Sequence, residues 1–208
     1  MQDLTDRYGR KFPYLRLSVI QACNFSCSYC LPNGYRAEPG RPSALRVDEI
    51  TRLLHAFAGV GMRKVRITGG EPSLRKDLVE IIAAAAGVPG IRDVAMTTNG
   101  CVVRKEQCKW REAGLTALNV SVDTLDGSAF HRITGHDRLI DILQGSEDVL
   151  ADGRVTVKRN AVMLRGLNDG QMPAWLDYIR HRPVSIRFIE LMQTGTNLAY
   201  FKQHHYRA

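Results

Sequence analysis

The chain has 208 residues, 44% hydrophobic and 24% charged, a composition that predicts one globular domain with a sizeable core. No apolar run approaches the roughly 20 residues that span a bilayer, and residues 1–7 lack the apolar core of a secretion signal, so we expect a cytoplasmic protein with no membrane partner. The net charge of +8 favours an anionic partner, but the basic residues are scattered and not interleaved with aromatic repeats, which argues against nucleic acid.

Short β-branched runs alternate with segments of helical period from residue 15 onwards, which predicts an α/β fold of repeated βα units around a parallel sheet. The predicted strands are residues 15–20, 64–68, 93–98, 117–122, 155–162 and 184–189. Three apolar stripes at helical spacing predict helices packed on this sheet. They are Ile50, Leu53, Leu54, Phe57 and Ala58; Leu78, Ile81, Ile82 and Ala85; and Met172, Trp175, Leu176 and Ile179. Residues 32–42 are rich in Gly and Pro and predict a loop.

Three of the five cysteines, Cys23, Cys27 and Cys30, follow the first predicted strand with the spacing C-x3-C-x2-C. A loop after a strand of a parallel sheet is where ligand sites gather. A structural zinc ion would need a fourth ligand, which is absent nearby in sequence. Three thiolates on a four-iron cluster instead leave one iron open, so the spacing favours an iron–sulfur cluster over zinc or uncoordinated thiols. Cys101 and Cys108 lack ligand spacing and are interpreted as ordinary thiols.

A second motif, Thr-Gly-Gly-Glu-Pro at residues 68–72, follows the second predicted strand. Its two glycines allow the backbone to approach a ligand closely, and Glu71 offers a carboxylate to an amine. A plain strand-to-helix turn would explain the motif equally well if it stood alone. Because it follows the cysteine motif by one βα unit, both loops should open at the same end of the sheet.

With these two motifs the chain resembles the radical S-adenosylmethionine (SAM) superfamily, in which C-x3-C-x-aromatic-C binds a [4Fe-4S] cluster and a GGE motif holds the SAM amino group. Tyr29 occupies the aromatic position. The resemblance implies a partial (βα)6 TIM-like barrel. It also implies that SAM chelates the open iron and is cleaved reductively to a 5′-deoxyadenosyl radical.

Five further segments narrow the resemblance to the GTP 3′,8-cyclase family of lyases, which acts in molybdenum-cofactor biosynthesis. They are Tyr14-Leu-Arg-Leu-Ser18, Lys64-Val-Arg-Ile-Thr-Gly-Gly-Glu-Pro72, Thr97-Thr-Asn-Gly100, Leu118-Asn-Val-Ser-Val-Asp123 and Arg187-Phe-Ile-Glu-Leu-Met192. The resemblance implies that the radical removes hydrogen from C3′ of GTP, whose carbon then attacks C8 of guanine. It further implies a reductant such as flavodoxin or ferredoxin, and is compatible with a homodimer.

The resemblance also implies two sets of binding residues. The SAM set is Tyr29, Gly70, Glu71, Ser121 and Met192. The GTP set is Arg16, Arg66, Thr97, Lys158 and Arg187. Four members of the GTP set are basic, which suits a triphosphate, because an Arg side chain meets phosphate oxygens in pairs.

Three residues are unusual: two depart from the family pattern, and Arg159 departs from the apolar character usual for the helix-facing side of a strand. Gln21 stands where a carboxylate usually precedes the first cysteine, and Ser146 replaces an apolar helix residue, which should weaken packing. If Lys158 faces the barrel interior, strand alternation turns Arg159 towards the helices. Buried arginines are rarely unpaired, so we expect Arg159 to lie near a strand end, to extend outwards to solvent, or to destabilise the fold.

We expect residues 1–192 to form the barrel and residues 193–208 to begin a C-terminal extension that the chain lacks. The family's second [4Fe-4S] cluster is held by a C-terminal cysteine triad, and we expect this chain to have no ligands for it. The leading hypothesis is therefore a GTP 3′,8-cyclase barrel whose activity without that domain is open. The alternatives are a radical SAM enzyme with another substrate, such as a peptide, and a non-catalytic iron–sulfur-binding fragment.

Overall fold

Six parallel strands form one sheet in the computed structural model, which describes residues 4–37, 39–40, 43–194 and 197–207. The strands are β1 (Tyr14–Ser18), β2 (Lys64–Thr68), β3 (Asp93–Thr98), β4 (Ala117–Ser121), β5 (Thr156–Met163) and β6 (Ser185–Glu190). Each strand pairs with the next one along the chain, so β1 and β6 remain unpaired edges. This open sheet confirms the predicted α/β fold and its partial barrel.

The predicted strand positions agree closely with the structure. β2 and β3 match at both ends, and the other strands differ by one or two residues. The largest difference is at the end of β1, where the sheet stops at Ser18 instead of residue 20. There the carbonyl of Ile20 turns to accept a hydrogen bond from the backbone N–H of Gly70, 2.8 Å away. The last predicted strand residues therefore begin the cysteine-bearing loop.

Seven α-helices in the described part of the chain connect and flank the strands. They are α1 (Val47–Gly59), α2 (Leu78–Gly87), α3 (Val103–Glu112), α4 (Gly127–Thr134), α5 (Leu139–Asp152), α6 (Met172–Arg180) and α7 (Leu198–His204). All four predicted core residues of α2 are buried, as is Trp175 in α6. Leu53 and Leu176, predicted to pack on the sheet, are exposed instead. No helix in the described ranges is both long and apolar enough to cross a membrane.

Two segments lie outside the βα pattern. Residues 32–37, 39, 40 and 43–46 contain no helix or strand, as predicted for the loop, while Glu38, Arg41 and Pro42 lie outside the described residues. The segment 193–208 includes helix α7, which its sequence did not predict; Gly195, Thr196 and Ala208 lie outside the described residues, as do residues 1–3. The carbonyl of His204 accepts a hydrogen bond from Arg165 N–H at 2.8 Å, so α7 is tied to the end of β5.

The two faces of the sheet differ in polarity because side chains alternate along each strand. The face covered by the helices carries apolar residues, including Leu17, Ile67, Met96, Val120 and Phe188. The concave face carries the polar positions of the same strands. Parallel pairing sets these in rows, with Arg16 opposite Arg66, Thr97 opposite Asn119, and Asn160 opposite Arg187. The concave face is therefore the polar lumen of the partial barrel.

Arg159 is the charged exception on the helix-covered face, and the structure corrects the sequence expectation for it. It lies within β5, is 0% exposed, and donates hydrogen bonds to Ser146 (3.2 Å) and to the Tyr178 hydroxyl. Glu147 lies 3.7 Å from the same guanidinium and completes the ion pair. Ser146 is likewise buried. The two departures, Arg159 and Ser146, are thus hydrogen-bonding partners, and Arg159 neither extends to solvent nor lacks a compensating charge.

This pairing predicts coupled effects on stability. Ser146→Ala should lower the free energy of unfolding by about 1.5–3 kcal/mol in the parent chain, because it removes an acceptor from a buried charge. In an Arg159→Met background the same change should cost close to nothing. Urea unfolding of the two single variants and the double variant measures this coupling. In the control background Arg180→Met, which alters an exposed residue of α6, Ser146→Ala should keep its full cost; equal costs in all backgrounds would refute the pairing.

Candidate functional site

The three motif cysteines lie in the loop that follows β1, at the carboxyl end of the sheet. Cys23 and Cys27 are partly buried, Cys30 is exposed, and all are free thiols. The carbonyl of Cys27 accepts hydrogen bonds from the N–H groups of Cys30 and Leu31, both at 2.9 Å, which closes the loop into a turn. The backbone around the motif is therefore ordered by its own hydrogen bonds.

Burial raises the pKa of each of these thiols. The pKa of Cys27 rises to about 12, with Asp123, Cys23 and Cys30 adding electrostatic repulsion to the burial effect. Burial is also the first cause for Cys23 and Cys30. Thiolates bind metals and thiols do not, so a metal centre bound here would have to supply the positive charge that favours deprotonation.

The three thiols do not form a site for a single metal ion in this structure. Within the described part of the chain, no three histidine, cysteine or acidic side chains are close enough to hold one metal ion. A four-iron cluster binds each thiolate on a different iron atom, so its ligands stand farther apart than those of a zinc ion. The assignment of Cys23, Cys27 and Cys30 as the ligands stays a prediction.

The GGE motif after β2 is paired with the backbone of the cysteine-bearing loop. Gly70 N–H donates to the carbonyl of Ile20, and Glu71 N–H donates to the carbonyl of Ala22, both at 2.8 Å. A Cβ atom on Gly70 would lie 2.3 Å from the carbonyl of Ala22. The glycines therefore admit a close approach of the protein backbone, and this pairing does not depend on the side chain at position 21. Contact of Gly70 with SAM stays a prediction.

Glu71 connects the loops after β2 and β3 through its carboxylate. The side chain is 1% exposed. It accepts hydrogen bonds from the N–H of Ser73 (3.0 Å), the hydroxyl of Thr98 (2.7 Å) and the N–H of Asn99 (2.7 Å). The carboxylate predicted to meet the SAM amine is thus engaged by three protein donors. In this arrangement it positions two loops, and a contact between Glu71 and SAM remains untested.

Tyr29, the aromatic residue of the cysteine motif, is hydrogen-bonded to a residue that follows β4. Its hydroxyl donates to Asp123 at 3.0 Å, and the N–H of Val162 donates to the other carboxylate oxygen at 2.8 Å. Burial raises the pKa of Asp123 to about 6 and also raises that of Tyr29. The hydroxyl groups of Ser28 and Tyr200 share a further hydrogen bond of 2.8 Å, which joins α7 to the same loop.

Four basic side chains of the predicted GTP set face the lumen from the two outer strands on each side of the sheet. Arg16 and Arg66 lie on β1 and β2, and Lys158 and Arg187 on β5 and β6. The pKa values of Lys158 and Arg66 are lowered, first by burial, and Arg187 contributes repulsion to both. Charges on opposite edges therefore face each other across the lumen. Among the described residues, no carboxylate forms an ion pair with any of the four.

The remaining predicted residues lie in two regions. Thr97 is on the lumen face of β3, beside the basic residues, and Ser121 ends β4 on the same face. Met192 follows β6 and is 74% exposed. Sequence reasoning assigned no role to Asn99, Asp123 or Tyr200, which hold the loops of the site. Asn99 and Asp123 lie within two of the family segments, residues 97–100 and 118–123, and this is the one sequence feature that could have pointed to them. The sequence of α7 carries no pattern that indicates Tyr200.

A family model described as "Radical SAM superfamily" matches residues 17–179. A "GTP 3′,8-cyclase" of Stenotrophomonas maltophilia (strain K279a) is 62% identical over 208 residues, which are 100% of this chain and 64% of that protein. A "GTP 3′,8-cyclase" of Aeromonas hydrophila subsp. hydrophila is 53% identical over 209 residues, 99% of this chain and 61% of the relative. The chain thus spans less than two thirds of the length of these relatives.

Solved structures share the fold at low identity. Streptococcus suis SuiB aligns with a TM-score of 0.72 at 19% identity, over 88% of this chain and 41% of that one. The protein anSMEcpe with bound AdoMet aligns with a TM-score of 0.70 at 14% identity, over 90% of this chain and 55% of the other. These similarities support the architecture of the partial barrel.

The engagement of Glu71 predicts a structural defect when its carboxylate is removed. Glu71→Ala should lower the free energy of unfolding by about 2–4 kcal/mol, because Ser73, Thr98 and Asn99 lose their acceptor in a buried setting. Glu71→Gln should cost less, since one acceptor oxygen remains. Urea unfolding without cofactors gives the values, with Glu80→Gln at an exposed position of α2 as control. Parent-like stability of Glu71→Ala would contradict the hydrogen-bonding role.

Proposed function

The chain belongs to the radical SAM superfamily, and from that premise we propose that it forms the catalytic barrel of a GTP 3′,8-cyclase. The reaction converts GTP to (8S)-3′,8-cyclo-7,8-dihydroguanosine 5′-triphosphate, the first step of molybdenum-cofactor biosynthesis. The observation that carries the proposal is the pairing of two features in one lumen. Basic side chains from both sides of the sheet, with no carboxylate partner among the described residues, face one lumen, and the loop that carries three thiols follows β1 at the carboxyl end of the same sheet.

Cys23, Cys27 and Cys30 would hold a [4Fe-4S] cluster with one open iron. The chemistry such a cluster would supply is reductive cleavage of SAM to methionine and a 5′-deoxyadenosyl radical, with the electron coming from a reductant such as flavodoxin or ferredoxin. Tyr29, Gly70, Ser121 and Met192 would contact SAM around the cluster. Asp123 fixes the loop that carries Tyr29 by accepting a hydrogen bond from the Tyr29 hydroxyl. Glu71 fixes the loop that carries Gly70 by accepting a hydrogen bond from the N–H of Asn99.

The protein's further contribution is to bind and orient the nucleotide. Arg16, Arg66, Lys158 and Arg187 would clamp the triphosphate, because phosphate oxygens neutralise charges that repel one another in the free protein. Their repulsion disfavours the empty lumen and favours a polyanion. Clamping the phosphates limits the freedom of the sugar relative to SAM, which converts the encounter of the two reactants into an effectively intramolecular step.

Shielding of the reaction is the requirement that the barrel meets least well. Arg16 and Arg187, on the two edge strands, are exposed to solvent. Radical intermediates must be protected from water and side reactions. The relatives are longer than this chain. We propose that this difference in length affects SAM cleavage and GTP conversion to different extents. The two products therefore need separate assays.

The cluster assignment predicts a sharp difference between two cysteine variants. After anaerobic reconstitution with iron and sulfide, the parent chain should form 5′-deoxyadenosine from SAM under a chemical reductant. Cys27→Ala should lose this product and most of the bound iron, whereas Cys108→Ala, in exposed α3 surface, should retain both. Mass spectrometry and iron analysis supply the measurements. Undiminished 5′-deoxyadenosine from Cys27→Ala would defeat the assignment. If the parent chain forms 5′-deoxyadenosine but no product from GTP, another substrate, such as a peptide, is favoured.

The clamp predicts a loss of GTP affinity that grows with each basic residue removed. Lys158→Ala and Arg187→Ala should each weaken GTP binding about tenfold or more, corresponding to one charge-assisted contact. The surface variant Lys105→Ala, on α3, should bind GTP like the parent. Isothermal titration under anaerobic conditions at two salt concentrations measures both the affinity and its electrostatic part. GTP binding that is equally strong in all three variants would exclude the lumen as the phosphate site.

A further inference from the structure

The two central strands carry buried polar atoms that have no partner. Asn119 on β4 is 1% exposed, and its Oδ1 atom makes no hydrogen bond within the described residues. The hydroxyl oxygen of Thr97 on β3 is also buried and unpartnered. The two residues are direct neighbours in the β3–β4 register. Leaving such atoms unpaired is costly, and native proteins place ligands or water where it occurs.

The direction of Asn119 follows from the strand itself. Its neighbours Leu118 and Val120 pack in the hydrophobic core beneath the helices, so alternation turns Asn119 to the lumen. Lys158 of the predicted GTP set is its register partner on β5. The unpartnered pair therefore opens onto the same lumen as the basic side chains.

The chemistry of the pair specifies what can complete it. The Asn119 amide nitrogen donates to the carbonyl of Met96 at 3.4 Å, which leaves Oδ1 as an acceptor. An ionised phosphate has only acceptor oxygens and cannot satisfy it. A hydroxyl group can donate to Asn119 and accept from Thr97 at once. The partner that fits is therefore a hydroxyl group, of an alcohol or of water.

The basic and the neutral polar residues of the lumen lie on different strands. The basic residues come from β1, β2, β5 and β6, whereas the neutral pair lies on β3 and β4 between them. A nucleotide whose triphosphate contacts these basic residues has its sugar attached within the same lumen, where the two central strands offer the neutral pair. We propose that Asn119, together with Thr97, forms a subsite that recognises a ribose hydroxyl of the nucleotide; this rests on the proposed GTP-binding function. It adds to the site a specificity-determining residue outside the predicted GTP set.

The test compares GTP with 2′-deoxy-GTP and 3′-deoxy-GTP by anaerobic titration of the parent chain and of Asn119→Ala. The parent should bind at least one deoxy analogue about tenfold more weakly than GTP, because a buried acceptor then stays unpaired. Asn119→Ala should bind GTP about tenfold more weakly than the parent and should no longer distinguish GTP from that analogue. The ratio of affinities within each protein is unaffected by a general loss of folded material.

The outcomes separate this inference from the proposed function. If the parent binds no GTP, the proposed function fails and the subsite fails with it. If the parent binds GTP and both deoxy analogues equally, the subsite is refuted while GTP binding stands. If Asn119→Ala weakens all three ligands by the same factor, Asn119 has only a structural role. Asn119→Asp, which keeps an acceptor oxygen, should preserve the parent's ratio between GTP and the discriminated analogue.

Discussion

Backbone hydrogen bonds between the loops after β1 and β2 are the constraint on which the rest of the site depends. The N–H groups of Gly70 and Glu71 donate to the carbonyls of Ile20 and Ala22, and the absence of a side chain at Gly70 permits this approach. The thiol of Cys23 comes one residue later. The Glu71 carboxylate extends the connection to Asn99 and hence to the loop after β3. Three consecutive βα loops are thereby fixed relative to one another, which holds the cysteines at one end of the sheet.

A second buried carboxylate supports the other side of the cysteine-bearing loop. Asp123 binds the Tyr29 hydroxyl and the N–H of Val162, so it joins this loop to β4 and β5. Its burial raises its pKa to about 6, a cost that the two hydrogen bonds partly offset. Helix α7 contributes the contact between Ser28 and Tyr200. The loop is therefore braced by groups that would not touch the cofactors, consistent with the need to preorganise a reactive centre.

The open sheet explains both the charge of the lumen and its accessibility. Curvature brings the positive groups of β2, β5 and β6 within electrostatic reach of one another, an arrangement that is unfavourable until an anion enters. The helix-covered face of the sheet is apolar. It accommodates Arg159 because Ser146, Tyr178 and Glu147 pair with the guanidinium. The relatives named GTP 3′,8-cyclase are longer than this chain.

The sequence by itself determined the alternation of strands and helices, the positions of β2 and β3, the core face of α2 and the spacing of the motif cysteines, because period and spacing are local properties of the chain. It also indicated which strand residues face the lumen, since alternation is fixed by strand geometry. Only the tertiary structure decided that Glu71 is engaged by Ser73, Thr98 and Asn99, that Arg159 and Ser146 are partners, and that Asn119 lacks one. Those facts join residues far apart along the chain, and hydrogen bonding between distant segments leaves no periodic trace in either segment alone.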